Sequence, residues 1–103
     1  MSEKVALIAR IAARAAGADE VEVALRTLVD AAAAEPGTVE YVLHREGDSG
    51  TFWFYELYAD QAAFEAHGQN PALAQAFGGI GGLLVEPPEV HLLTPLQAAH
   101  LPL

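Results

Sequence analysis

The segment Thr51–Tyr58 reads Thr-Phe-Trp-Phe-Tyr-Glu-Leu-Tyr. Aromatic residues favour strands, and this run follows the turn signal Gly47-Asp48-Ser49-Gly50, so it reads as a β-strand. Side chains alternate across a strand. Trp53, Tyr55 and Leu57 therefore point one way, and Phe52, Phe54, Glu56 and Tyr58 the other. Both faces are largely apolar, so both need cover. No other stretch of the chain narrows the possible folds as much.

The flanking sequence supplies cover for one face. Val5–Ala12 reads as a first strand. Asp19 with Glu22 three residues later resembles a capping box, and Val21, Leu25, Leu28, Val29 and Ala32 recur at helical spacing. Glu35-Pro36-Gly37 ends that helix. Val39, Tyr41 and Leu43 alternate with Glu40, Val42 and His44 as a second strand. Asp60 is placed to cap a helix through Phe64 and His67, and Asn70 with Pro71 restarts it. Leu73, Phe77, Ile80 and Leu84 form the stripe of that second segment. Gly78, Gly79, Gly81 and Gly82 weaken its end, either as a mobile pocket wall or to let the helix pack closely on the sheet. Glu89–Leu93 is the last strand.

The order is β-α-β-β-α-β, an α+β, ferredoxin-like arrangement with a four-stranded antiparallel sheet and two helices on one face. Residues 1–103 form one domain. Residues 94–103 are a tail that packs on a neighbouring chain or stays loose. Helices on one face leave the other bare, and a bare aromatic face is an aggregation hazard. The expected solution is a homodimer packed through its sheet faces.

Composition excludes several classes. Fourteen Asp and Glu against five Lys and Arg give a net charge of −9, which argues against nucleic acid and against an anionic membrane surface. The absence of Cys removes disulfides, thiolate metal sites and a Cys nucleophile. Met1-Ser2-Glu3-Lys4 and the Arg10-interrupted stretch after it lack a signal-peptide pattern, and Gly78–Val85 is too short to span a bilayer. The expectation is a cytoplasmic protein. Of the 103 residues, 21 are Ala, so the Phe, Tyr and Trp side chains must define any pocket.

Val5–Arg14, Glu35-Pro36-Gly37, Tyr41-Val42-Leu43-His44-Arg45, Phe52–Tyr58, Ala66-His67 and Leu93-Thr94-Pro95-Leu96, in that order, resemble the antibiotic biosynthesis monooxygenase domain. The resemblance spans nearly the whole chain. It implies a dimeric α+β barrel and oxygenation of electron-rich phenols, quinols or polyketide intermediates with no metal or flavin cofactor. Such chemistry needs a base, donors for a developing oxyanion and a dry aromatic pocket.

His67 is the candidate base, since imidazole changes charge near neutral pH; the alternative is a histidine satisfied by one structural hydrogen bond. Glu56, isolated in an apolar strand, would orient His67, or else form an ordinary ion pair near a rim. A five-residue hairpin loop, Gly47–Thr51, would set His44 opposite Phe54 on the face of Glu56, within reach of a substrate. A loop one residue shorter would turn it to the other face. Arg10 is a candidate donor to an anionic substrate oxygen, or a partner for one of the many acidic residues. Trp53, Phe54, Tyr55, Tyr58 and Phe77 are candidates for the pocket wall, divided between pocket and dimer interface according to sheet face.

His44, His67 and Glu56 lack the spacing of a two-His, one-carboxylate iron site, so no metal is expected. The haem-degrading relatives of the fold are expected to carry an Asn in the first strand and a Trp and a His on the second helix. Here Val5–Ala12 has no Asn, Trp53 is on a strand, and the helix end reads Ala76-Phe77-Gly78. The competing reading is a non-catalytic dimeric barrel that binds a small apolar ligand or serves in assembly.

Overall fold

The computed structural model describes residues 3–103. Met1 and Ser2, part of the N-terminal stretch read for a signal sequence, lie outside the described residues. Four strands, β1 (Val5–Ala12), β2 (Thr38–Arg45), β3 (Thr51–Tyr58) and β4 (Glu89–Leu93), form one sheet in the order β2-β3-β1-β4. Every neighbouring pair is antiparallel. Helix α1 (Ala18–Ala32) makes the first crossover, and α2 (Gln61–Gly68) with α3 (Pro71–Ile80) the second. This is the open ferredoxin-like sheet that the element order predicts. Among the described residues, no helix is long and apolar enough to cross a membrane.

The alternation along β3 sorts the molecule. Phe52, Phe54 and Glu56 lie opposite Ile11, Ala9 and Leu7 of β1, and opposite Arg45, Leu43 and Tyr41 of β2. Phe52, Phe54, Ile11, Ala9 and Leu7 cluster with Val21, Leu25 and Leu28 of α1 and with Ile80 of α3. Phe52, Ile11, Val21 and Leu25 are fully excluded from solvent. Burial of each such side chain contributes about 1.5–3 kcal/mol, so this layer is the core. The other face carries Ile8, Arg10, Trp53, Tyr55, Val42, His44, His91 and Leu93. Val42 and Leu93 are exposed there, and Trp53 and Tyr55 are half-buried.

Two local expectations are met atom by atom. Asp60 accepts a hydrogen bond from the Ala63 N–H at 2.8 Å, and Asn70 accepts one from Ala72 at 3.0 Å with Pro71 next in the chain. Each satisfies an N–H that the helix itself leaves unpaired. The second crossover is thus two capped helices rather than one.

The capping box at α1 does not form. The helix starts at Ala18, with Gly17 as its N-cap and no side-chain cap. Asp19 falls inside the first turn, where a carboxylate still favours the helix dipole. Asp19 and Glu22 instead bind Arg45 of β2, at 3.2 and 2.9 Å, which ties α1 to the sheet edge.

The hairpin register also differs from expectation. Glu46 donates its N–H to the Thr51 carbonyl at 2.9 Å, so the loop is Gly47–Gly50, one residue shorter than expected. Gly47 takes the left-handed φ of +58°, and a Cβ on Gly50 would lie 2.6 Å from the Ala13 carbonyl oxygen. Gly47 is thereby required by the turn, and Gly50 by the close approach of the Ala13 carbonyl at the end of β1. His44 pairs with Trp53 and therefore faces away from Glu56.

Candidate functional site

Between the sheet and helices α2 and α3 lies a cavity of about 270 Å³. Its wall is mostly apolar: Leu7, Ala9 and Ile11 of β1, Phe54 of β3, and Phe64, Leu73 and Phe77 from the helices. Three polar residues also line it, Tyr41, Glu56 and His67. A few convergent polar groups in an apolar cleft is the usual form of a small-molecule site.

His67 stands in the last turn of α2 and is buried, with 7% of its surface exposed. Its Nδ1 lies 2.9 Å from Oε1 of Glu35, in the turn between α1 and β2. Glu35 also accepts from Thr38 Oγ1 at 2.8 Å on that oxygen, and from Asn70 Nδ2 at 2.8 Å on the other. Burial alone would raise the Glu35 carboxyl. The hydrogen bonds from Asn70, His67 and Thr38 outweigh it and hold the group below its ordinary value. Glu35 is therefore an anion placed to accept a proton from Nδ1, and in the Nδ1–H tautomer Nε2 is the ring nitrogen that carries the free lone pair.

Nε2, the other ring nitrogen, lies 3.9 Å from Oε1 of Glu56, which lines the same cavity. Glu56 is buried beside it, and the Tyr58 hydroxyl donates to that same oxygen. Burial pushes the Glu56 carboxyl above its ordinary value, against the opposing pull of the Tyr58 hydrogen bond and of the His67 ring when it carries a proton. Burial likewise raises the hydroxyls of Tyr41 and Tyr58, reinforced by Glu56, so both stay protonated as donors. The rings of Tyr41 and Tyr58 flank the imidazole at 4.9 and 5.2 Å between centroids.

Two carboxyl groups are thus driven in opposite directions around one imidazole. Divergence of this kind is how proteins separate an orienting anion from a group able to hold a proton. The arrangement can accept a proton at Nε2 from a ligand in the cavity. The Glu35 carboxylate at Nδ1 can also stabilise the resulting imidazolium.

The fold brings His67, Glu56, Phe54 and Phe77 to this cavity, with Tyr58 behind Glu56. Arg10, Trp53, Tyr55 and His44 lie on the opposite sheet face. Arg10 pairs with Glu86 at 2.6 Å, Trp53 Nε1 donates to Glu46 at 2.8 Å, and His44 Nδ1 lies 3.3 Å from the Trp53 carbonyl oxygen. The expectation that His44 shares the face of Glu56 is corrected by the one-residue difference in the hairpin loop. Among the described residues, no three His, Cys, Asp or Glu side chains are grouped to hold a metal ion.

Sequence reading missed Glu35, Asn70 as its partner, and Tyr41. Glu35 registers in the sequence only as part of the helix-ending Glu-Pro-Gly, 32 residues before His67. No local spacing rule links positions so far apart. The larger groove between α1 and β2, about 390 Å³, contains Glu22, Arg26, Asp30 and Arg45. Its two arginines are engaged by Glu22 and Asp19, and it holds no comparable base.

Comparison with known proteins places the fold. No curated protein matches the chain in sequence. Among solved structures, Rv0793 from Mycobacterium tuberculosis superposes with a TM-score of 0.86 at 29% identity, over 93% of this chain and 98% of that one. PA3566 from Pseudomonas aeruginosa does so with a TM-score of 0.84 at 32% identity, over 94% and 98%. A third structure, described as an antibiotic biosynthesis monooxygenase, shares the fold with a TM-score of 0.83 at 23% identity, over 90% and 99%. Residues 4–78 match the family described as antibiotic biosynthesis monooxygenase. That stretch holds β1 through most of α3, with Glu35, Glu56 and His67 all inside it, and the chain belongs to the antibiotic biosynthesis monooxygenase family.

Proposed function

We propose that the protein is a monooxygenase that oxidises a small phenol or quinol with O₂, using no metal or flavin. One observation supports this reading most: His67 lines an apolar cavity with its Nδ1 2.9 Å from Glu35, which leaves Nε2 as the nitrogen to act as base. The base takes the phenolic proton at Nε2, and the phenolate in a dry pocket is a far better reductant than the phenol. It passes an electron to O₂, and the phenoxyl radical and superoxide combine at a ring carbon. The resulting peroxide anion takes the proton back from the imidazolium to become a hydroperoxide. Neutral His67 then removes the ring proton as the O–O bond breaks, and one oxygen atom stays as a quinone carbonyl. The other leaves as hydroxide and takes that second proton from the imidazolium to become water. All the electrons that reduce O₂ come from the phenol. Tyr41 O–H and a protonated Glu56 supply donors for the developing oxyanion.

The cavity also bounds the substrate. An apolar cavity of about 150 Å³ accommodates benzene, so about 270 Å³ suits one or two rings.

The test is oxygen consumption with one- and two-ring hydroquinones, without added metal or flavin. His67→Ala is expected to lower turnover by about 10²–10⁴-fold, the usual contribution of a general base. Turnover that survives His67→Ala would overturn the proposed site. Tight binding without oxidation above background would favour the non-catalytic ligand-binding barrel. We also assign the apolar sheet face of Ile8, Trp53, Tyr55, Val42 and Leu93 to a homodimer interface, since large aromatics without a covering layer are otherwise an aggregation hazard.

A further inference from the structure

The His67 cavity has a neighbour. A second cavity of about 360 Å³ lies beneath the α3–β4 connection, bounded by Leu84, Val85, Glu86 and Pro87. The two share two wall residues, Phe77 and Pro88. Pro88 is part of the rigid Pro87-Pro88 pair. Phe77 is a half-buried ring on α3, so its side chain is the movable part of the partition.

The segment that follows Phe77 is unusual. Gly78, Gly79, Gly81 and Gly82 come directly after it, and α3 gives way at Gly81–Leu83 to a 3-10 turn. A Cβ added at any of the four would meet nothing within 4 Å. None of them has a positive φ. These glycines therefore serve neither close packing against the sheet nor a left-handed turn. What remains is their low helix propensity, about 1 kcal/mol each relative to Ala. Four together weaken the helical turn that carries Phe77, so the end of α3 is held mainly by Ile80 in the core and by the bonds of Leu83 and Val85 to the end of β1, and the stretch around the Phe77 ring is the part free to loosen.

We propose that Phe77 is the size gate of the His67 cavity. With the ring in place, the inner cavity takes one- or two-ring aromatics. When the stretch around Phe77 loosens and the ring moves aside, the inner and outer cavities become one channel through which ligand comes and goes. The proposal deepens the monooxygenase reading by naming its specificity-determining residue, and it rests on that reading for the chemistry that follows binding.

The test reads binding alone. 1-Methoxynaphthalene and 9-methoxyanthracene are fluorescent and carry no hydroxyl to deprotonate, so neither needs the base. Titrated into the wild-type protein, the two-ring ether is expected to bind at least about tenfold more tightly than the three-ring ether, the scale of discrimination by pocket size. Phe77→Ala is expected to abolish that preference. The double variant G78A/G79A, which the open space around both positions accommodates, keeps the Phe77 ring and stiffens the helix. It is expected to slow association in stopped flow several-fold with the size preference intact. An unchanged preference in folded Phe77→Ala would overturn the gate. So would unchanged association in G78A/G79A, or failure of both ethers to bind the wild type. Loss of the oxidation reaction with the size preference preserved would instead overturn the monooxygenase reading alone.

Discussion

Oε1 of Glu35 lies 2.9 Å from Nδ1 of His67, while Nε2 of the same ring lies 3.9 Å from Glu56. Three donors converge on this one carboxylate, from His67, Thr38 and Asn70. Glu35→Gln cannot satisfy all three, because its NH₂ must face either Asn70 or the His67–Thr38 pair. The Nδ1 proton then loses its anion, and the ring samples the other tautomer. The ¹⁵N shifts of the His67 ring should report Nδ1–H in the wild type and a tautomer mixture in the variant. Turnover should fall by about tenfold or more, part of the 10²–10⁴ that a correctly held base contributes. A wild-type tautomer retained in Glu35→Gln would contradict the orienting role.

The same carboxylate makes stability depend on acid. Glu35 is held below its ordinary value in the folded state, so the unfolded chain binds its proton first as pH falls. Its contribution is present above the unfolded pKa and is lost as pH drops through the folded one. Urea denaturation from neutral pH down to pH ~3 should show that loss in the wild type, on the scale of hydrogen bonds to a charged group, about 1.5–3 kcal/mol. Glu35→Gln should be less stable at neutral pH and should show a flatter acid limb.

Glu56 has the opposite sign. Its carboxyl is raised, chiefly by burial, so the folded state holds its proton longer than the unfolded chain does. Its contribution is fully present below the ordinary carboxylate range and is lost as pH rises through the raised value. Glu56→Gln keeps an acceptor for the Tyr58 hydroxyl and removes the charge. The variant should gain stability relative to wild type as pH rises from the ordinary carboxylate range through the raised value, while losing turnover. A constant difference between the two proteins across that window would contradict burial of the carboxyl.

The hairpin depends on two glycines for different reasons. Gly50→Ala would put a Cβ 2.6 Å from the Ala13 carbonyl oxygen, and the bond from Ala13 N–H to the Gly50 carbonyl at 2.8 Å would be strained with it. The expected cost is about 1–3 kcal/mol, as for other overpacked sites. Gly47→Ala meets no atom within 4 Å and is expected to cost only the left-handed backbone penalty, about 1–2 kcal/mol. Denaturation midpoints of the two variants check the order.

The open sheet face predicts the oligomeric state. Trp53 and Tyr55 sit side by side on it with Ile8 and Val42. Sedimentation at micromolar concentration should show a dimer. W53E/Y55E should be monomeric with an unchanged far-ultraviolet circular dichroism spectrum, because neither residue belongs to the core cluster. A wild-type monomer would contradict the interface.

Legibility in the sequence followed the range of the interaction. The strands are written in alternation, and the caps at Asp60 and Asn70 in residues within three positions of the N–H they satisfy. The chain of elements, and with it the ferredoxin-like order, follows from such local rules. The sides of β3 were legible too, because the period of a strand is two: Phe52, Phe54 and Glu56 had to share a face. Where a local rule failed, at the α1 cap, a tertiary ion pair with Arg45 had taken both acidic residues.

The sequence by itself determined the order of elements, the two faces of β3 and the placing of His67 on a helix. Only the tertiary structure decided which face His44 occupies, because one residue in the hairpin loop inverts every side chain on the strand. Only the tertiary structure joined Glu35 to His67, because a contact across 32 residues is made by how α1, α2 and the sheet pack together. The separation of Phe52 and Phe54 from Trp53 and Tyr55 has the same cause. Alternation divides the two sets, but only the position of the helices turned one set into a cavity wall and left the other on the open face.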